Sequence, residues 1–401
     1  MDPIDNPFSM SAGNPPAALA GREAQTEQFR QLLGRLSKGR HEQSIILSGL
    51  RGVGKTALLL EFERIATTEG WTTAEPFEAR PDTKLRAELA RAAREAVVRL
   101  DRRRAIGERL QPLLGLIERF KAGVRIAGSI DISIDTSSSP GTSGELEPDL
   151  VDLFIELGEV AKAHQSGVVF LIDEMQFLQS EELEALVATM HRMSRRQLPV
   201  ALVGAGLPPL PGLVVNAKSY AEQLFSFPRL GSLTPEASRA ALEQPAKALG
   251  VTFDVDALEV IVEAAGGYPT FIQAFGKEAW NAANPASQRI TREDALCSRE
   301  IAQSKLDEEF FHVRFERATE RERAYMAAMA DLGDGPYRTK DVAGRLGRAL
   351  SATSAMRDTL LKKGLIYSPD LGEVDFTVRR FAEFMRRRYP LDLHNDGGRK
   401  P

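Results

Sequence analysis

The chain has 401 residues, of which 43% are hydrophobic and 27% are charged. These values are those of a folded globular protein and exclude a disordered chain, while the length predicts two or three domains. A net charge of -4 argues against a surface that attracts nucleic acid as a whole, and the single cysteine, Cys297, excludes an intrachain disulfide and favours a reducing compartment.

The amino-terminal residues carry no signal for export. Asp2 and Asp5 lie among the first ten residues, which lack a basic start and an apolar run. The longest uncharged stretch, residues 198–215, contains four prolines, so we interpret it as a buried strand followed by a loop. We therefore predict a cytoplasmic protein with no membrane partner.

Residues 1–20 are rich in Pro, Ala, Asn and Gly and predict an extended arm. Residues 21–231 then alternate between amphipathic helices and short apolar runs, which favours a parallel sheet covered by helices on both faces. The strands are expected at residues 44–48, 71–77, 168–172 and 200–203. An insertion at about 82–145 reads as two charged helices, a hairpin at 123–136 and a Ser/Gly-rich loop at 136–144.

A phosphate-binding motif follows the first apolar strand and begins a helix. Its pattern is GxxxxGK[ST], and glycines in it allow backbone N–H groups to surround phosphates at a helix N-terminus. The matching residues are Gly49, Leu50, Arg51, Gly52, Val53, Gly54, Lys55 and Thr56. We expect Lys55 to reach the β and γ phosphates of ATP and the Thr56 hydroxyl to bind Mg²⁺.

Two acids follow the apolar strand at 168–172. The carboxyl end of such a strand lies at the sheet edge where ligands bind, so this pattern favours a Walker B site. Asp173 is expected to hold Mg²⁺, and Glu174 to orient or deprotonate the attacking water. Successive strand residues point to opposite faces, so the role of Glu174 requires the strand to end there.

Beyond Pro228 the strand signal vanishes. Helix caps indicate an all-helical lid at residues 232–306. Three short helices and a small hairpin predict a winged helix-turn-helix domain at 307–390, followed by a flexible tail at 391–401. The predicted fold class is thus α/β, a P-loop NTPase sheet with a helical lid and a C-terminal winged helix.

With these motifs, residues 15 to 390 resemble the AAA+ and STAND ATPases, most closely the origin-recognition type with a C-terminal winged helix. The segment from Pro16 to Glu23, which contains Arg22, resembles the adenine-side box of that family, and Gly266 to Pro269 is similar to its lid motif. The resemblance implies ATP and Mg²⁺ held between sheet and lid, with Arg22 and Pro269 on the nucleotide, and hydrolysis or exchange that moves the winged helix.

The chain departs from the family pattern at the sensor positions. Residues 204–206, where a polar sensor 1 side chain is usual, are Gly-Ala-Gly, and no arginine occupies the lid motif after Tyr268. We therefore expect slow hydrolysis. Candidates for an arginine finger acting across a subunit interface are Arg192, Arg195, Arg196 and Arg229, each of which also fits a solvated surface charge.

Two functions remain open. Residues 337 to 388 contain 12 Lys/Arg and 6 Asp/Glu, a local excess of 12 − 6 = +6, which favours salt-sensitive binding of duplex DNA by the winged helix. Acids in the wing and the plain sensor positions instead favour a STAND-like signalling or scaffold ATPase, whose winged helix contacts a protein partner or a second copy of the chain. The basic candidates are Arg357, Lys362, Lys363, Arg379, Arg380, Arg386, Arg387 and Arg388.

Overall fold

The computed structural model describes residues 1–10, 19–123 and 145–391. The predicted hairpin at 123–136, the Ser/Gly-rich loop and nearly all of the tail lie outside these ranges, as does Pro16. The remainder forms a parallel sheet with flanking helices, a helical segment after it, and a small domain with an antiparallel sheet.

A parallel sheet organises the amino-terminal half. Its strands are β1 (Ser44–Ser48), β2 (Thr72–Thr73), β3 (Phe77–Glu78), β4 (Val168–Asp173), β5 (Val200–Gly206) and β6 (Phe225–Ser226). Their order is β2-β4-β5-β1-β6, and β3 also pairs with β4. Every residue of the central strands is buried, which explains their continuous apolar sequence. The strand expected at 71–77 is instead two short strands.

Helices cover both faces of the sheet. They are α1 (Glu23–Ser37), α2 (Lys55–Thr68), α3 (Leu85–Arg104), α4 (Leu110–Ala122), α5 (Leu146–Ala163), α6 (Ser180–Arg196), α7 (Leu210–Ala217) and α8 (Ala221–Leu224). The two predicted charged helices are confirmed as α3 and α4. The loop expected after β5 is wrong, because α7 begins directly after its N-cap residue Pro209, and Pro211 lies in the first turn, where a missing N–H costs nothing.

The segment after the sheet contains α9 (Pro235–Ala248), α10 (Val255–Ala265), α11 (Pro269–Ala282) and α12 (Arg292–Lys305). It is not wholly helical as predicted, since β7 (Thr252–Phe253) pairs in parallel with β8 (Arg289–Ile290). Strands of two residues are too short to produce a periodic pattern in sequence. The N-terminal residues pack on this lid, where Phe8 contacts Phe253 and Trp280 edge to face.

The carboxyl-terminal domain has the topology of a winged helix. Its elements are α14 (Glu320–Asp331), β9 (Tyr337–Arg338), α15 (Thr339–Arg345), α16 (Leu350–Lys362), β10 (Ile366–Tyr367), β11 (Glu373–Phe376) and α17 (Phe381–Arg388). The three strands form an antiparallel sheet in the order β10-β11-β9. A π-helical segment, Leu306–His312, and the single turn α13 (Val313–Phe315) connect α12 to this domain.

The carboxyl-terminal domain contacts the loop after β1 and the lid directly. The Arg51 N–H donates to the carbonyl oxygen of Thr377 over 2.8 Å. Arg379 and Arg380 donate to the Ser232 hydroxyl and the Ala264 carbonyl, each over 2.8 Å. These two arginines precede α17 and face the lid. The sequence pattern suggested that both arginines belong to the last helix, and the structure places them before it.

Among the described residues, no helix is both long enough and apolar enough to cross a membrane.

Candidate functional site

The predicted phosphate-binding loop lies between β1 and α2. Lys55 is 5% exposed, and its ammonium group donates to the carbonyl oxygens of Gly49 (2.9 Å) and Leu50 (3.1 Å). Burial lowers the pKa of Lys55, and the negative charges of Glu174 and Asp173 oppose that shift. The lysine thus lies within the loop and depends on nearby carboxylates to remain charged.

Asp173 is the last residue of β4 and faces the start of α2. Its carboxylate accepts from the Thr56 hydroxyl over 2.5 Å and from the N–H of Glu174 over 2.8 Å. Burial raises the pKa of Asp173, and the hydrogen bond from Thr56 works against the increase. Two oxygen atoms from neighbouring elements therefore meet at one point, as the sequence predicted for these residues.

Glu174 is the first residue after β4, so the condition set by the sequence, that the strand end there, is met. Its backbone is left-handed, with φ of 52°. Its Oε2 accepts from the Arg51 guanidinium over 3.0 Å and from the Gln176 amide over 2.5 Å. The Glu174 carboxylate is thus held by one cation and one amide.

Gln176 supplies a polar side chain that the sensor 1 region lacks. It lies in a short 3₁₀ turn, Met175–Phe177, directly above β5. A Cβ atom at Gly204 would lie 2.0 Å from the Met175 sulfur, and one at Gly206 would lie 2.4 Å from the Gln176 oxygen. A side chain at either glycine would therefore have to displace one of these two side chains. The contact of Gln176 with Glu174 could not be predicted from the sequence, because no motif includes the second residue after an acid pair.

A cavity of about 440 Å³ opens between the phosphate-binding loop and the lid, a size typical of ligand sites. The lid is bonded to the loop: the Tyr268 hydroxyl donates to the Arg51 carbonyl, and the Thr270 hydroxyl donates to the Gly52 carbonyl over 3.1 Å. The predicted site residues that line the cavity are Arg51, Gly52, Val53, Gly54, Lys55, Thr56, Glu174 and Pro269.

Arg22 does not line this cavity, although the resemblance placed it on the nucleotide. It is 7% exposed and donates to the carbonyl oxygens of Val53 (3.0 Å) and Gly231 (2.8 Å). Burial lowers its pKa. Arg22 therefore supports the phosphate-binding loop from outside the cavity, whose lining includes Pro7, Met10, Leu19 and Ala20.

Arg51 connects three parts of the molecule. Its N–H is bonded to the winged helix at Thr377, its carbonyl accepts from Tyr268 of the lid, and its guanidinium is paired with Glu174. The guanidinium also lies against Gly364, where a Cβ atom would be 2.9 Å from an Arg51 nitrogen. Sequence reasoning treated Arg51 only as one position of the loop.

The proposed arginine fingers lie away from the cavity. Arg192, Arg195 and Arg196 are exposed on α6, and Arg229 is exposed after β6. An arginine that the sequence did not single out, Arg314, does line the cavity.

Most basic residues of the winged helix have intramolecular partners. Lys363 is paired with Glu322 over 2.6 Å. Arg357 pairs with Asp358 on its own helix over 2.9 Å. Arg386 pairs with Asp334 over 3.0 Å, and Arg387 with Asp307 over 2.7 Å; Arg388 lies 3.5 Å from Asp307. Lys362 is exposed and has no ion pair within the described part of the chain. Much of the local positive charge is thus paired with carboxylates of the same chain.

The fit of Mg²⁺ rests on oxygen chemistry. No group of three or more His, Cys, Asp or Glu side chains able to hold a metal occurs among residues 1–10, 19–123 and 145–391. Mg²⁺ usually binds through one or two protein oxygens together with substrate phosphates and water, and the adjoining oxygens of Thr56 and Asp173 suit that arrangement.

A parallel sheet with this loop after β1 and an acid pair after β4 defines a P-loop nucleoside triphosphatase. Residues 18–203 match the family model described as "AAA ATPase domain". Residues 308–385 match a second model, described as "Domain of unknown function (DUF8462)". The comparison with curated proteins gives no match.

The chain is similar to several solved structures at low sequence identity. The Walker-type ATPase of Pyrococcus abyssi is 15% identical with a TM-score of 0.53, over 92% of this chain and 96% of that chain. The Orc1 protein of Aeropyrum pernix in complex with DNA is 18% identical, with a TM-score of 0.45 over 94% and 95% of the two chains. The RuvB Holliday junction branch migration motor of Thermotoga maritima is 15% identical, with a TM-score of 0.45 over 94% and 99%.

Proposed function

We propose that this protein is an ATP-driven molecular switch in which the nucleotide state controls docking of the winged helix on the ATPase domain. The observation that carries this proposal is the position of Arg51, a cavity-lining residue bonded at once to the lid, to the winged helix and to Glu174. A change at the phosphates therefore has a direct route to the winged helix through the contacts of the phosphate-binding loop.

In this proposal the residues of the cavity divide the work of ATP hydrolysis. Backbone groups of residues 49–56 and the Lys55 ammonium hold the phosphates, and Thr56 and Asp173 hold Mg²⁺, which neutralises phosphate charge. Glu174 accepts a proton from the attacking water. The water oxygen bonds to the γ-phosphorus, and the bond between that phosphorus and the bridging oxygen of the departing ADP breaks. Turnover is expected to be slow while Arg51 and Gln176 hold the Glu174 carboxylate.

The output of the switch is the second question. The ion pairs on Arg357, Lys363, Arg386 and Arg387 reduce the charge available for phosphate contacts and favour a protein partner or another copy of the chain. Duplex DNA remains a second candidate, supported by the +6 charge excess and by the exposed outer face of α16, which carries Ser351 and Lys362.

Turnover and docking can be measured on the same sample. Purified protein should release phosphate from ATP, and limited proteolysis near residues 364–377 should be faster with a non-hydrolysable ATP analogue than with ADP. Identical cleavage with the two nucleotides, both bound, would refute the switch while leaving an ATPase.

A further inference from the structure

Arg314 lies in the short turn between the lid and the winged helix, yet it lines the cavity together with Arg51, Lys55 and Glu174. It has no carboxylate within ion-pair distance among the described residues. Its guanidinium lies 4.0 Å from the centre of the Phe310 ring and donates to the Phe310 carbonyl, both within its own segment. A half-buried cation with only these partners is poorly compensated.

The environment of Arg314 places it at the phosphate end of the cavity. Burial first, and then the positive charge of Arg51, lower its pKa to about 10, whereas the Glu174 charge acts in the opposite sense. Arg51 and Glu174 belong to the phosphate-binding loop and the acid pair, and both line the cavity together with Arg314. Two arginines and a lysine around one cavity form a site for a polyanion.

The segment that carries Arg314 is also packed firmly on the winged helix. Phe311 stacks on Phe384 with ring centres 5.2 Å apart, and Phe315 stacks on Tyr389 at 3.8 Å. The preceding π-helical turn, Leu306–His312, is a rare conformation that is found often at functional sites. A movement of the segment that carries Arg314 would therefore shift α17 through these aromatic contacts.

We propose that Arg314 binds the terminal phosphate of ATP from the linker side of the cavity and so reports the presence of that phosphate to the winged helix. This inference rests on the proposed ATP switch. It supplies the arginine that the lid motif after Tyr268 lacks, from a different element of the chain. ADP offers no terminal phosphate in that position, so the contact distinguishes the two nucleotides.

Calorimetric titration of a non-hydrolysable ATP analogue and of ADP tests this assignment. Arg314→Ala is expected to weaken the analogue by about tenfold or more, the loss typical of one charge-assisted hydrogen bond, and to weaken ADP by much less. Arg314→Lys should recover part of the loss. Arg317→Ala is the matched control, since Arg317 lies in the same segment and donates to the Lys363 carbonyl over 3.1 Å.

The outcomes separate this inference from the function on which it rests. If the unmodified protein binds neither nucleotide, the ATP switch itself fails. If it binds both and Arg314→Ala weakens both equally, or neither, the phosphate assignment is overturned. A thermal unfolding curve of each nucleotide-free variant identifies misfolding. If Arg314→Ala is misfolded, Arg314→Lys, which keeps the charge, tests the phosphate assignment through its ratio of analogue affinity to ADP affinity.

Discussion

The main-chain N–H of Arg51 donates to the carbonyl oxygen of Thr377 over 2.8 Å and joins the phosphate-binding loop to the winged helix. Gly364, which lies between α16 and β10 of the same domain, has φ of 63° and lies against the Arg51 guanidinium. Any side chain at Gly364 must displace that guanidinium. The ion pair between Arg51 and Glu174 and the docking of the winged helix are therefore coupled.

Substitution Gly364→Ala should weaken docking and raise ATP turnover. The new Cβ atom would lie 2.9 Å from an Arg51 nitrogen, and loss of one charge-assisted contact of about 1.5 kcal/mol corresponds to about a tenfold change in rate. Steady-state phosphate release measures the effect. Gly372→Ala is the control, because Gly372 also has a positive φ, 77°, but no atom within 4 Å of the added Cβ. Equal behaviour of the two variants would show that the Arg51 contact has no role.

Substitution Glu174→Gln should preserve ATP binding and reduce turnover by about 10²–10⁴-fold, the range for loss of a general base. The amide can still accept from Arg51 and keeps the side-chain volume. Single-turnover hydrolysis together with calorimetry separates binding from chemistry. Lys55→Ala is the companion variant and should lose nucleotide binding itself. Unchanged turnover in Glu174→Gln would mean that another group activates the water.

Mg²⁺-dependent nucleotide binding should weaken as the pH falls. Burial raises the pKa of Asp173, so the carboxylate becomes protonated at a higher pH than an exposed aspartate would and then loses its charge for Mg²⁺. Binding is therefore complete above that pKa and declines as the pH falls through it. Thermal shifts with ATP and Mg²⁺ measured across a series of pH values provide the test.

The control for this pH effect is Asp173→Asn. Protonation of ATP itself affects the variant and the unmodified protein alike, whereas titration of residue 173 affects only the latter. The two pH profiles should therefore differ in slope. Parallel profiles would remove Asp173 from the Mg²⁺ site.

Duplex DNA should bind weakly and with a shallow salt dependence. Because Arg357, Lys363, Arg386 and Arg387 are held in ion pairs, few phosphates can be neutralised, and each contact contributes about 0.9 to the slope of log K against log salt. Fluorescence anisotropy at two salt concentrations, with and without ATP, measures this slope. A steep slope that appears only with ATP would establish DNA as the output of the switch.

The sheet, the phosphate-binding loop and the acid pair could be predicted from the sequence because each depends on local pattern. A buried apolar run that ends in glycines or acids indicates a parallel strand wherever it occurs. The small strands β7, β8 and β9 escaped prediction because two residues carry no periodicity.

The contacts that join the parts of the site could not be predicted in this way. Gln176 contacts Glu174 from a short turn, and Arg314 lines the cavity from a linker. In the chain, Arg314 lies 263 positions beyond Arg51. Their roles depend on how distant elements pack, which no motif records. Arg22 shows the converse: a family motif predicted a nucleotide contact, and the fold uses the residue to support the loop instead.

Hydrogen–deuterium exchange of the Arg51 amide, which donates to Thr377, and of peptides covering residues 363–378 tests the proposed switch most directly. With ADP bound, the Arg51–Thr377 contact should persist and exchange should be slow. With a non-hydrolysable ATP analogue bound, we predict faster exchange in these peptides and unchanged exchange in β1 and β5. The same slow exchange with both nucleotides, each confirmed to be bound, would contradict the claim that nucleotide state controls docking of the winged helix.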